Sequence, residues 1–177
     1  KFWWRCPKGT DHEWEATARA RTSKGSGCPC CAGRQVSVTN SLAALKPELV
    51  AEWHPTRNGE QTPDTVVAGS HKKFWWRCPK GTDHEWEATA ANRTFSGSGC
   101  PCCSGRQVSE TNSLAARYPE LAVEWHPTRN GDMAPDMMVA GSHKKVWWKC
   151  TEGPDHEWKA AVAQRTELGS GCPCCSG

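Results

Sequence analysis

The sequence predicts small α+β repeats in tandem: β-hairpin modules stapled through cysteine and histidine, joined by short helical connectors. Three observations lead there. Lys1–Ala18, KFWWRCPKGTDHEWEATA, recurs letter for letter at Lys73–Ala90, and a divergent copy, KVWWKCTEGPDHEWKAAV, begins at Lys145. The period is 72 residues both times, the signature of a repeat architecture. Each unit gathers its four cysteines and most of its tryptophans into its first half, a segment too short to build a self-sufficient apolar core. The cysteine modules are placed at 1–34, 73–106 and 145–177, and the helical connectors at 35–72 and 107–144. The third module keeps its cysteines without the connector that follows the other two.

The elements follow in order. Phe2–Arg5 is aromatic-rich and strand-like, and Glu13–Thr22 alternates Trp14, Ala16, Ala18 and Ala20 on one face with charged residues on the other, which predicts a second strand. Cys6–His12 joins them as a hairpin loop, and the Gly/Ser run Ser23–Gly27 turns the chain into Cys28-Pro29-Cys30-Cys31. Thr39-Asn40-Ser41 is an N-cap cluster ahead of Leu42–Leu45. Pro47 suits the first turn of a second short helix over Pro47–Trp53. Arg57-Asn58-Gly59 is a turn, and an extended return leads into the next Lys-Phe-Trp-Trp. The tryptophans recur at fixed register and are expected to form small cores. Because alternate strand residues point oppositely, one of Trp3 and Trp4 should pack on the connector helix.

Composition narrows the class. Hydrophobic residues are 37% of 177, and mean hydropathy is −0.72. No stretch approaches the ~20 apolar residues that span a bilayer. Eleven tryptophans do not suit a disordered tail, and aperiodic glycine and proline exclude collagen. The chain begins at Lys1 with no charged-then-apolar leader, so an intracellular, reducing compartment is expected, cytoplasm or nucleoid or nucleus.

The cysteine pattern is C-x5-H-x15-C-P-C-C, three times. Cys6, His12, Cys28 and Cys31 form a Cys3His set closed by a C-x-x-C pair, followed by Cys78, His84, Cys100, Cys103 and by Cys150, His156, Cys172, Cys175. Tetrahedral zinc takes four such ligands, two from each of two short loops. An even cysteine count also admits a disulfide framework. The histidine in register, the awkward disulfide geometry of adjacent Cys30 and Cys31 and the lack of a secretory context favour three structural Zn2+ ions. Cys28/Cys30 would give a C-x-C pair; the C-x-x-C alternative leaves Cys30, Cys102 and Cys174 as spare thiols.

The run WWRC…HEWEA…RT…GSGCP-x-C-x-GR, followed by NSLA…PEL…EWHPTRNG…PD…V…GSHKK, resembles the tandem probable zinc-ribbon or treble-clef zinc-finger repeats of bacterial, phage and plant proteins, a domain family of unknown function. The resemblance covers essentially the whole chain. It implies treble-clef or zinc-ribbon-like hairpin modules and zinc on the Cys-His-Cys-Cys sets. Because the position between the paired cysteines varies in the family, it also implies that Cys30 is left out. It further implies nucleic acid as partner, and fusion to or association with a nuclease outside this fragment.

Charge refines that expectation. The formal net charge is +3, and three sites of Zn2+ with three thiolates, each net −1, would cancel it. The whole-protein field is therefore a weak attraction for nucleic acid, while residues 1–34 carry seven Lys/Arg against three acids. The repeats differ mainly around a constant Arg-Thr: ARARTSK, AANRTFS, VAQRTEL. Arg21, Arg93 and Arg165 are expected as common anchors, placed opposite Trp14 and its copies, with Arg19, Lys24, Asn92 and Gln164 tuning each module. The expected function is a nucleic-acid-binding array, double-stranded DNA with one short subsite per module. The alternative is a protein–protein interaction array with purely structural zinc. Catalysis is not expected: a four-ligand zinc has no open position, and His54 and His126, with no matched partner, suit turn or helix-end roles.

Overall fold

The computed structural model describes residues 1–176; residue 177, at the end of the third expected module, lies outside the described residues. The chain divides into two compact units, Lys1–Pro79 with Glu85–Gly99, and Lys80–His84 with Cys100–Gly177.

In the first unit, β1 (Phe2–Arg5) pairs antiparallel with β2 (Glu13–Ala16), Trp4 opposite Trp14. The second strand stops at Ala16, where an extension to Thr22 was expected. Thr17 is extended and its hydroxyl accepts the Ala20 N–H at 3.2 Å, an N-cap that starts α1 (Ala18–Thr22). Ala-Arg-Ala-Arg has high helix propensity, and with the cap in place it overrides the two-residue alternation. The change of period matters: a strand would put Arg21 opposite Trp14, whereas the helix turns its guanidinium to within 5.3 Å of the Trp14 ring centroid.

Ser41 caps α2 (Leu42–Leu45), and the second short helix, expected over Pro47–Trp53, is a 310 segment over Pro47–Glu52. The next hairpin, β3 (Lys73–Arg77) with β4 (Glu85–Thr89), leads into α3 (Ala90–Phe95) under the same threonine cap, Thr89. The unit's core is Leu42, Leu49, Val66, Phe74, Trp76 and Trp86. Trp76 is fully buried, and its indole N–H donates to Ala88 O at 3.0 Å, which removes the cost of an unpaired polar atom in the core.

The second unit repeats this plan. α4 (Leu114–Arg117) and α5 (Pro119–Val123) precede the hairpin β5 (Lys145–Lys149) with β6 (Glu157–Ala161), then α6 (Val162–Thr166) and α7 (Pro173–Ser176). Leu114, Met138, Val146, Trp148 and Val162 form its core, with Tyr118 and Trp125 packed against them.

In both units the later half of a connector lies on the hairpin that follows it. Trp53 bridges to Trp76, and its ring meets Phe74 at 5.0 Å and Trp76 edge-on at 5.3 Å. Trp125 meets Trp148 at 5.8 Å in the same way. The sequence divisions at 72/73 and 144/145 therefore run through packed cores. The outward tryptophan of each pair, Trp75 or Trp147, lies under Arg57 or Arg129, in the connector's turn where its helix was expected. Among the described residues no helix is long and apolar enough to cross a membrane.

Candidate metal centres

Three donor sets come together: Cys6, His12, Cys28 and Cys31; Cys78, His84, Cys100 and Cys103; Cys150, His156, Cys172 and Cys175. Within each set the ligand atoms lie within 4.8 Å of one another. These are the twelve residues expected from spacing. In the first, the hairpin loop closes through Cys6 N–H to His12 O at 3.0 Å, which points both side chains the same way. Glycine allows the histidine in: a Cβ at Gly81 would stand 2.5 Å from His84 Cδ2, and one at Gly153 would stand 2.7 Å from His156 Cδ2. The other pair comes from a knuckle in which Ala32 N–H donates to Cys28 O at 3.1 Å and Gly33 N–H to Cys30 O at 3.0 Å, with Gly33 at φ 65°.

The distances fit one ion. A tetrahedron with Zn–S about 2.3 Å and Zn–N about 2.05 Å has S–S edges of about 3.75 Å and S–N edges of about 3.55 Å. Cys6 Sγ to Cys31 Sγ is 3.7 Å, and His12 Nδ1 stands 3.6 Å from Cys28 Sγ and 3.5 Å from Cys31 Sγ. The second set gives 3.7 Å and 3.5 Å from His84 Nδ1 to Cys100 and Cys103, and the third gives 3.7 Å for Cys150–Cys175 and 3.5 Å for His156 Nδ1–Cys175. A disulfide would need about 2.05 Å. Three structural zinc sites fit, each on His Nδ1.

Electrostatics point the same way. Burial tends to raise the Cys28 thiol, yet the backbone N–H groups of Cys31 and Cys30 outweigh it and hold Cys28 below its ordinary value. Cys31 is pushed up to about 11 by burial and by its neighbours Cys6 and Cys28. Cys175 is pushed up to about 12, first by its hydrogen bond with Cys150 and then by burial. Three thiolates cannot share such a space without a cation, and a bound divalent ion reverses the penalty. Cys30 is buried outside the donor set, its thiol raised by burial and by Cys28.

Sequence reasoning missed the clamp behind the histidine. His12 Nε2 lies 2.8 Å from Thr39 Oγ1 and 3.2 Å from Ser37 Oγ; His84 Nε2 lies 2.9 Å from Thr111 Oγ1 and 3.2 Å from Ser109 Oγ. With Nδ1 on the metal, Nε2 carries the proton and donates to these hydroxyls, fixing tautomer and ring plane. Asn40 donates back to Cys30 O at 2.8 Å and Gln35 O at 2.9 Å, tying the knuckle to the connector. Of the expected cap cluster, only Ser41 caps a helix. The signal was present: Ser-x-Thr-Asn-Ser recurs 72 residues on, and its one varying position, Val38, is exposed.

The nucleic-acid candidates divide. Arg93 and Arg165 are buried, which corrects the expectation that they stand clear of the core. Arg93 Nη2 meets Glu52 Oε2 at 2.6 Å, its Nη1 donates to Ser98 O, and its guanidinium lies 4.9 Å from the Trp76 and 5.3 Å from the Trp86 ring centroid. Arg165 does the same with Glu124, Trp148 and Trp158. Arg21 is half-buried over Trp4 and Trp14 and donates to Ser26 O at 2.5 Å. Gln164 is exposed, but its Oε1 accepts the Ala161 N–H at 3.1 Å, supplying a cap where Ala161 replaces the threonine of the other modules. Arg19, Lys24 and Asn92 are exposed. His54 and His126 take turn roles: Nδ1 of each accepts two backbone N–H groups, and Nε2 faces Glu85 or Glu157 at 3.1 Å.

The chain matches a family model described as a probable treble clef zinc finger domain over residues 1–34, 49–106 and 121–177. The two longer matches begin inside a connector and run to the end of the next cysteine module, the same grouping that the cores show. No curated protein matches it.

Proposed function

This chain belongs to the probable treble clef zinc finger family, and from that premise we propose that it is a nucleic-acid-binding array, with double-stranded DNA as its ligand. One observation carries the reading. Each module holds a short helix through a buried or half-buried arginine, and several outward positions in that helix and in the turn after it differ between modules. Aligned by the 72-residue period, these are Ala20, Asn92 and Gln164 in the helix, then Ser23, Phe95 and Glu167, and Lys24, Ser96 and Leu168, at its end and in the turn after it; Arg19, exposed in the first module, aligns with Ala91 and with the buried Ala163. A constant scaffold with a changing outward face is what modular readout requires. Exposed lysines and arginines that recur with the repeat, Lys8/Lys80 and Arg34/Arg106, supply the sequence-independent phosphate attraction. The closed Cys3His sets leave no zinc position for water or substrate, which supports a binding rather than a catalytic role.

The test is binding of a fluorescent duplex at graded salt. A falling log K against log salt is expected, with a slope that shrinks by about one for each phosphate-contacting lysine or arginine neutralised, beginning with Lys80→Gln and Arg106→Gln. Binding indifferent to salt, or absent at low salt, rejects the reading.

A second reading, a protein-interaction array, is favoured by Phe95 and Leu168. They stand outward at the end of α3 and just past α6, at 70% and 78% exposure, where apolar side chains suit a protein partner better than a groove.

A further inference from the structure

The first hairpin carries a docking face whose ligand can be read from the other two. In the second module the segment Glu52-Trp53-His54-Pro55-Thr56-Arg57-Asn58 adds to the outer edge of β3. His54 N–H donates to Trp75 O at 3.2 Å, Asn58 brackets Trp75 by donating to its carbonyl at 3.0 Å and accepting its N–H at 2.8 Å, and Arg57 covers the indole at 4.4 Å. Three charged contacts fix the register: Glu52 on Arg93 at 2.6 Å, and His54 and Arg57 on Glu85 at 3.1 Å and 3.4 Å. The third module is occupied by Glu124–Asn130 with the same contacts, Glu124 on Arg165 at 2.7 Å and Asn130 on Trp147 at 2.8 Å and 2.9 Å.

The first module presents the same receptor and, among the described residues, no occupant. Lys1–Ala18 is identical to Lys73–Ala90, and Arg21 matches Arg93. Phe2 and Trp3 are 63% and 72% exposed. Among the described residues Glu13 has only Arg5 as an ion-pair partner, at 3.8 Å, and Arg21 meets no carboxylate. We propose that this face takes a further Glu-Trp-His-Pro-Thr-Arg-Asn segment, one outside residues 1–177, laid antiparallel along β1. Its carboxylate would meet Arg21, its His-Arg pair Glu13, and its Asn and Arg side chains Trp3. The backbone pairing is edge-strand addition, and the side-chain contacts set register and specificity. The segments Glu52–Asn58 and Glu124–Asn130 are engaged within their units, so the occupant is a third segment of that kind.

The test adds a labelled peptide with the sequence of residues 47–59 to the zinc-loaded chain. Engaged segments act at intramolecular effective concentrations of order mM, so weak but saturable binding of one peptide per chain is expected. Amide shifts should be confined to β1, β2 and α1. Glutamine at the peptide position matching Glu52, or Trp3→Ser in the chain, should weaken binding at least tenfold. Trp3 is exposed, so the serine variant keeps its zinc and its fold. No saturation by about 1 mM peptide, equal binding by Trp3→Ser, or concentration-dependent dimers that the peptide does not dissolve, indicating a second copy on this face, would each overturn the proposal.

Discussion

The Arg165 guanidinium stands 2.7 Å from the Glu124 carboxylate across 41 residues of chain, with the arginine buried and the glutamate half-buried. It also lies over Trp148 and Trp158, at 4.9 Å and 5.0 Å from their centroids. One cation therefore ties a connector segment, a hairpin and a short helix together, and Arg93 with Glu52 repeats the device.

Arg165→Ala should accordingly destabilise the second unit. Removing one partner of a desolvated pair costs about 3 kcal/mol, and the lost cation–π contacts add roughly 1 kcal/mol. Arg165→Lys should recover part of the loss, because a lysine offers charge without the planar fork that reaches Glu124 while stacking on two indoles. Thermal unfolding of the zinc-loaded chain measures both. An alanine variant as stable as the parent would mean that the arginine is replaceable packing.

The metal sites give the second prediction. The chain should hold three zinc ions, Cys31→Ser should hold two, and Cys30→Ser should keep all three. Chelation should unfold the modules, since binding to a site absent from the unfolded chain is folding free energy. Native mass spectrometry and far-ultraviolet dichroism read these outcomes; loss of an ion from Cys30→Ser would move that residue into the donor set.

Legibility in the sequence divided by interaction range. The donor sets were readable because metal geometry constrains spacing directly: Cys6, His12, Cys28 and Cys31 were found from C-x5-H-x15-C-P-C-C alone. The hairpins were readable from aromatic strands flanking that loop. Arg21, Arg93 and Arg165 were misplaced because a helix start, capped by Thr17 and Thr89 in two modules and through Gln164 in the third, changed the local period from two to about 3.6, swinging the arginine from the outward to the inward face. No pattern local to the Arg-Thr pair shows that Glu52 waits 41 residues upstream of Arg93. The His12 clamp was missed for the same reason: Thr39 sits in a helix-cap motif, and only the folded loop shows its hydroxyl on Nε2.

The outward helix face gives the third prediction. Asn92 is exposed with its backbone N–H on Thr89, so its side chain is at no structural work in the cap. Asn92→Ala should leave zinc content and melting unchanged and shift base preference at one subsite by about 1–3 kcal/mol. Arg93→Ala should lower affinity only in step with unfolding. A selection from random duplexes that returns the parent preference for Asn92→Ala would remove this residue from the reading face.

The hydroxyl clamp gives the last prediction. His12 and His84 are buried, and each sets Nε2 against a threonine and a serine hydroxyl. Losing an outer-shell partner of a histidine ligand typically costs about 10–100-fold in metal affinity. Thr39→Val should therefore weaken the first site, and Thr111→Val the second, by about that factor. The helices that follow keep their own caps on Ser41 and Ser113, so the zinc-saturated variants should melt with the parent. Graded chelation with the modified thiols mapped reads the outcome: among the ligand cysteines, Cys28 and Cys31 should become reactive earlier in Thr39→Val than in the parent. If Thr39→Val holds its first ion as tightly as the parent does, the hydroxyl does not hold the histidine on the metal.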